Sequence, residues 1–269
     1  MIIDFHTHAF PDKIAERTVA ALGKVANMTP LTDGTVDGLR RKLFDSGIDL
    51  GVILPVVTRA DQFESINRFA ASISADGVIS FGGIHPDDED VESHVAHIKS
   101  LGLRGIKIHP DYQGAYIDDE RYVRIAKAAL SAGLVVVTHA GVDVGFPGHP
   151  VRCTPERAER FLSAVTDGDA EMELPIVFAH GGGYGMHDDV MRYLAGRKVY
   201  IDISMMPVIS NTDEVTELIR MHGARRILFA SDCPWGDPAE GVRFVNSLPI
   251  TEEERELILH KNSERLLGI

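Results

Sequence analysis

The sequence predicts an α/β fold, a distorted (β/α)8 barrel of the TIM type, with residues 1–269 forming one domain. Three observations lead there. Eight short runs rich in Val, Ile and Leu alternate with amphipathic stretches. One strand–helix unit takes about 34 residues, the size of a βαβ repeat, and eight such units suit the length of a barrel. The apolar runs are nearly continuous, which is how parallel strands covered on both faces read.

The strand runs are Ile2–His6, Leu50–Val56, Val78–Ile84, Leu103–His109, Leu134–His139, Leu174–His180, Val199–Ile203 and Arg226–Ser231. After the first, the turn-rich stretch Val25–Thr35 reads as part of a long loop over the barrel mouth. Leu39, Leu43 and Phe44, and then Ile66, Phe69, Ala70 and Ile73, recur at helical spacing. Thr154-Pro155 sets a cap followed by proline at the first helical position. Asn211-Thr212-Asp213-Glu214 and Thr251-Glu252-Glu253-Glu254 match the capping box. Gly47, Gly102, Gly133 and Gly223 stand where helix C-terminal glycines belong. The competing architecture is an open doubly wound sheet. No Gly-x-Gly-x-x-Gly follows the first run, and the run Gly181-Gly182-Gly183 follows the sixth instead. No linker or low-complexity segment marks a second domain.

Net charge is −13, so the basic footprint of a nucleic-acid binder is absent. The two cysteines, Cys153 and Cys233, provide no disulfide framework, and a reducing, cytoplasmic setting is the default expectation. The N-terminus reads as a strand rather than a signal peptide, and no apolar run reaches the length of a membrane span. The expected partner is a small-molecule substrate, with neither nucleic acid nor membrane; a homo-oligomer is compatible with the sequence.

Of 12 histidines, six stand at the C-terminal ends of strand runs. They are His6 and His8 (first), His85 (third), His109 (fourth), His139 (fifth) and His180 (sixth), and Asp232 follows the eighth run. In a barrel these ends form one rim, where the chemistry of the fold sits. Two histidines in a strand are often no more than satisfied core residues. Repetition at one end of the strands argues for a divalent metal. His6 and His8 are spaced i, i+2, which puts both imidazoles on one face of a strand. Imidazole nitrogen and carboxylate oxygen suit Zn²⁺, and also Mn²⁺, Fe²⁺ or Co²⁺. Three imidazoles and one carboxylate leave a position open for water, as a catalytic site requires.

Several segments resemble the amidohydrolase superfamily, in the branch of aminocarboxymuconate semialdehyde decarboxylase-like enzymes. They are Ile3-Asp4-Phe5-His6-Thr7-His8, Gly105-Ile106-Lys107-Ile108-His109-Pro110, Thr138-His139-Ala140-Gly141, Ala179-His180-Gly181-Gly182 and Ser231-Asp232-Cys233-Pro234-Trp235-Gly236. The closing Asn262-Ser263-Glu264-Arg265-Leu266-Leu267-Gly268 is similar to that family's C-terminal helix. The resemblance implies a catalytic metal, usually zinc, held by His6, His8, His139 and Asp232. It also implies that His180 is a further ligand or the group that orients and deprotonates water.

Lys107 and His109 share a strand face, where binuclear relatives carry a bridging ligand. Lys107 is then a bridge, a substrate-binding cation or a barrel-interior lysine paired with a carboxylate. His109 contacts substrate or a second metal, or is structural. His85, in Gly83-Ile84-His85-Pro86, resembles a turn of TatD-like nucleases, but the strand-four glutamate those enzymes carry is missing. Arg59 and Arg152 are candidates to hold a substrate carboxylate in a bidentate fork, against the reading of plain surface arginines. Asp143 and Phe146 are candidate pocket residues. Met205 and Met206 read as packing, with apolar pocket wall as the alternative, and Cys233 as core. The first expected activity is metal-dependent hydrolysis of an ester, lactone or amide, with Asp232 and His180 catalytic. The alternative is non-oxidative decarboxylation of an unsaturated or aromatic acid. A metal-binding barrel without catalysis is a remote third.

Overall fold

A computed structural model describes residues 1–269. Nine parallel strands run β1 (Ile3–Thr7), β2 (Leu50–Ile53), β3 (Val78–Ser80), β4 (Gly82–Gly83), β5 (Gly105–Ile108), β6 (Val135–Thr138), β7 (Ile176–Phe178), β8 (Tyr200–Asp202) and β9 (Ile227–Leu228). β1 to β3 form one ladder and β4 to β9 another, each in chain order. β3 and β4 are the single predicted run Val78–Ile84, interrupted at Phe81, which itself bonds back to Ile53 O. The ring closes where Phe5 N–H donates to Phe229 O at 3.0 Å and Asp232 N–H donates to His6 O at 2.8 Å. All eight expected strands are present, the first shifted by one residue and the others shorter, and the architecture is a distorted (β/α)8 barrel.

Ile3, Phe5, Val52, Leu54, Val135, Val137, Val177 and Leu228 pack together inside the ring, while the larger core lies between strands and helices. Gly105 leaves the space that Phe81 fills: a Cβ there would come within 2.3 Å of the Phe81 ring. Phe5 meets Phe81 edge to face at 5.8 Å, and the pair plugs the barrel below the rim. A fully buried ring of this kind contributes roughly 1.5–3 kcal/mol.

β1 carries an irregularity that sequence periodicity does not show. Asp4 pairs with Gly51 and Thr7 with Ile53, so β1 spends three residues where β2 spends two. Such a bulge re-aims side chains. It lets Phe5 pack inside the barrel and His6 still reach the rim.

The first connection holds two helices, α1 (Ala15–Ala26) and α2 (Val36–Asp45), and α3 (Phe63–Ile73) follows β2. Of the stretch Val25–Thr35 read as loop, residues 27–35 are loop, while α1 continues through Ala26. On α2, Leu39 and Leu43 are buried, but Phe44 is 83% exposed and does not belong to the core face. Thr154 caps its helix with Pro155 at the first position, as expected. Thr251 and Glu254 form the reciprocal capping box. Asn211 caps the N–H groups of Asp213 and Glu214, but Glu214 turns to Ser210 Oγ, so the second box is only half made. Gly47, Gly102, Gly133 and Gly223 all have positive φ just past helix ends. No helix is long and apolar enough to cross a membrane.

Candidate active site

Five of the six rim histidines meet at the C-terminal end of the barrel with Lys107, Asp143 and Asp232, around one cavity of about 500 Å³. Hydrogen-bond partners assign the tautomer of each ligand candidate. His6 Nδ1–H donates to Asp202 Oδ2 at 2.9 Å, and His8 Nδ1–H to Leu54 O at 3.0 Å. Both Nε2 atoms therefore point away from these partners, into the rim. They lie 3.2 Å apart, and Asp232 Oδ1 is 3.4 Å from the first and 3.0 Å from the second.

A relay fixes the rest. His139 Nδ1–H donates to His180 Nε2 at 3.1 Å, His180 Nδ1–H to Ser204 Oγ at 2.8 Å, and Ser204 O–H to Asp202 Oδ1 at 2.5 Å. Asp202 Oδ1 also accepts the backbone N–H of His180 and of Ser204, each at 3.0 Å. The far end of this chain is His139 Nε2, a buried lone pair with no partner. One buried carboxylate thus sets the ring orientation of His6 directly and of His139 through two intermediaries.

Three potential ligand atoms, His6 Nε2, His8 Nε2 and Asp232 Oδ1, crowd together. Burial, helped by the Lys107 ammonium, holds His6 well below the usual imidazole range, so its ring is neutral. Burial likewise lowers His139 to about 3. Neutral imidazoles and a carboxylate facing one another are what a divalent cation neutralises. The side chains present fit such an ion. His139 stands apart from the tight trio and is grouped more closely with His109 and Asp143.

Lys107 is almost fully buried, with Nζ 3.4 Å from His6 Nε2. Burial lowers its pKa to about 8, opposed by the carboxylates of Asp202 and Asp232. Burial raises the Asp232 carboxyl above its ordinary range. His180 and Asp232 both adopt left-handed backbone, at φ 58° and 68°. Non-glycine residues rarely do so, and such strain gathers at functional sites.

His109 stacks on His139 with centroids 4.4 Å apart and planes 10° apart, and its Nε2 is 3.5 Å from Asp143 Oδ2. His85, the sixth rim histidine, is turned away; its Nδ1 accepts the Asp87 N–H, and it does not line the cavity. Neither predicted arginine lines it. Arg59 is exposed and forks onto Asp61. Arg152 faces Asp111 at 3.9 Å. Lys107 is the only lysine or arginine on the cavity surface. Asp143 and Met205 line the cavity, whereas Phe146 packs on Tyr112 from outside it. Met206 packs against Gly181, and Cys233 lies in the core as expected.

Sequence reasoning missed Asp202, Ser204, Tyr112 and Tyr184. The signal for Asp202 was present: it ends β8 as Asp232 follows β9, but a lone aspartate after two apolar residues carries no motif. Beyond the polar rim the cavity is walled by α1, the turn after it, α3, Trp235 and Met205.

A profile of the amidohydrolase family matches residues 3–269. No curated protein sequence matches the chain. Among solved structures, 5-carboxyvanillate decarboxylase from Sphingomonas paucimobilis is 18% identical with a TM-score of 0.72, covering 100% of this chain and 99% of its own. 2,6-Dihydroxybenzoate decarboxylase from Rhizobium is 17% identical with a TM-score of 0.73, covering 99% and 98%. The 5-carboxyvanillate decarboxylase of Novosphingobium aromaticivorans, complexed with manganese and 4-hydroxy-3-methoxy-5-nitrobenzoic acid, is 16% identical with a TM-score of 0.72, covering 100% and 96%.

Proposed function

Because this chain belongs to the amidohydrolase family, we propose that it is a metal-dependent decarboxylase that removes CO₂ from an aromatic or unsaturated carboxylic acid without oxidation. The observation that carries this reading is the foot of the cavity. A buried ammonium, Lys107, and a largely enclosed carboxyl, Asp232, stand together beneath a mostly apolar wall. A carboxylate needs the first, and the carbon it leaves behind needs a proton from the second. The solved decarboxylases of the same fold support this choice over hydrolysis.

His6, His8, His139 and Asp232 would hold the divalent ion, with Mn²⁺ and Zn²⁺ the first to test. When bound, it supplies a Lewis acid that polarises oxygen atoms of the acid. Lys107 pairs with the substrate carboxylate, in place of the arginines expected from sequence. The bond between ring carbon and carboxyl carbon breaks, its electron pair stays on the ring carbon, and CO₂ leaves as a neutral molecule. Asp232, with Oδ1 turned to the ion's position, delivers a proton carried on its other oxygen to that carbon and is reprotonated from solvent. His180, engaged by His139 and Ser204, positions the rim rather than touching the acid. The apolar wall keeps bulk water from the reacting carbon.

The test is a panel of hydroxylated benzoic acids beside aryl esters and lactones, with the protein loaded with Mn²⁺ or Zn²⁺. Released CO₂ and the decarboxylated arene are the expected products, and Asp232→Asn should be slower by at least ~10²-fold. Ester or lactone cleavage with no CO₂ from any acid would overturn the proposal in favour of hydrolysis.

A further inference from the structure

The two helices at the cavity mouth carry more apolar surface toward it than a one-ring acid can use. α1 has two stripes. Ala15, Val19 and Gly23 are buried against the body of the protein. Ile14, Leu22 and Ala26, with Thr18 between them, recur every four residues and line the cavity instead. α3 is divided in the same way: Phe63, Asn67 and Ala70 face inward, while Ile66 and Phe69 face the cavity. Met28 continues the wall beyond α1.

Several polar groups in this part are occupied among themselves. Thr58 Oγ1 donates to Gln62 Oε1 at 2.9 Å, and Ser65 Oγ to Gln62 O at 3.0 Å. Every charged lining residue lies at the barrel end: Lys107, Asp143 and Asp232. A cavity of about 500 Å³ accommodates a drug-sized ligand. A one-ring acid anchored at Lys107 would leave the α1–α3 wall facing water.

We infer that the substrate is an amphipathic acid whose carboxylate sits at the rim and whose apolar substituent, several carbons long, lies between α1 and α3. This rests on the acid reading of the same site. It adds a subsite that the reaction itself does not need.

The experiment is calorimetric titration of the Mn²⁺-loaded protein with 2-hydroxybenzoic acid and with its 4- and 6-alkyl derivatives, from methyl to pentyl. Affinity should tighten by up to about fourfold for each added methylene, the equivalent of ~0.8 kcal/mol. Leu22→Asp and Ile66→Asp, both at half-exposed helix positions, should abolish the chain-length gain and leave 2-hydroxybenzoic acid binding and metal content unchanged. If the parent acid binds and affinity stays flat with chain length, the subsite is refuted while the decarboxylase reading stands. If no acid binds, the acid reading falls, and the same protein is titrated with n-alkyl alcohols. A chain-length gain lost in Leu22→Asp then retains the apolar subsite, and no gain removes it. A wall covered by a second copy of the chain would show as flat affinity in a protein that sediments as a dimer, and would also refute the inference.

Discussion

Asp202→Asn tests the idea that one buried carboxylate organises the rim. The native side chain accepts four hydrogen bonds: His6 Nδ1–H at 2.9 Å, the N–H groups of His180 and Ser204 at 3.0 Å, and Ser204 O–H at 2.5 Å. The amide can keep its oxygen where Oδ1 lies. Its NH₂ then faces His6 Nδ1, which must become an acceptor. His6 is forced into the other tautomer, with a proton on Nε2 pointing at His8 and Asp232. Loss of such an outer partner typically weakens metal affinity by about 10–100-fold, or about 1.4–2.7 kcal/mol. The assay is competition for Mn²⁺ or Zn²⁺ against a chelator of known affinity, with a thermal melt of the metal-free protein to confirm folding. Ser204→Ala should weaken binding less, since the His6 contact survives. A folded Asp202→Asn protein that binds metal within twofold of wild type would refute the reasoning.

Two further outcomes are expected. Lys107→Met should keep its metal and raise the KM for the acid by about 10–100-fold, the worth of a hydrogen bond to a charged group; loss of the metal with the lysine would mean that Lys107 serves the ion rather than the substrate. His222 lies far from the site, donating from Nε2 to Val199 O at 2.8 Å, and burial lowers its pKa to about 4. The unfolded chain binds that proton near pH 6.5, so the contribution of His222 to stability is present above about pH 6.5 and is lost as pH falls toward 4, by up to about 3 kcal/mol. Denaturant midpoints of metal-free protein measured between those pH values should fall more steeply for wild type than for His222→Asn; parallel slopes would rule the linkage out.

The barrel was legible because its strands, covered on both faces, stand out as apolar runs, and because glycines with positive φ and side-chain caps mark helix ends locally. The rim was legible because five histidines and Asp232 fall where strands stop. What could not be read depends on neighbours distant in the chain. Asp202 matters through His6, 196 residues away. Arg59 and Arg152 looked like carboxylate clamps, but each faces a nearby aspartate, and a sequence does not say which carboxylate an arginine prefers. His85 sits at a strand end like the others, yet its ring serves its own turn. Phe44 has the right spacing for a core residue and lies on the solvent side of its helix. The bulge in β1 is also invisible to periodicity, because it changes pairing without changing composition.

The left-handed backbone at His180 and Asp232 bears on how this protein can change. Each residue is held in a conformation that costs of order 1–3 kcal/mol for a side chain with a Cβ. Glycine would relax both positions at once and remove both functional groups. Selection for thermostability alone therefore runs against the chemistry at these two points, and variants recovered from such a screen will enrich for molecules that have lost their rim.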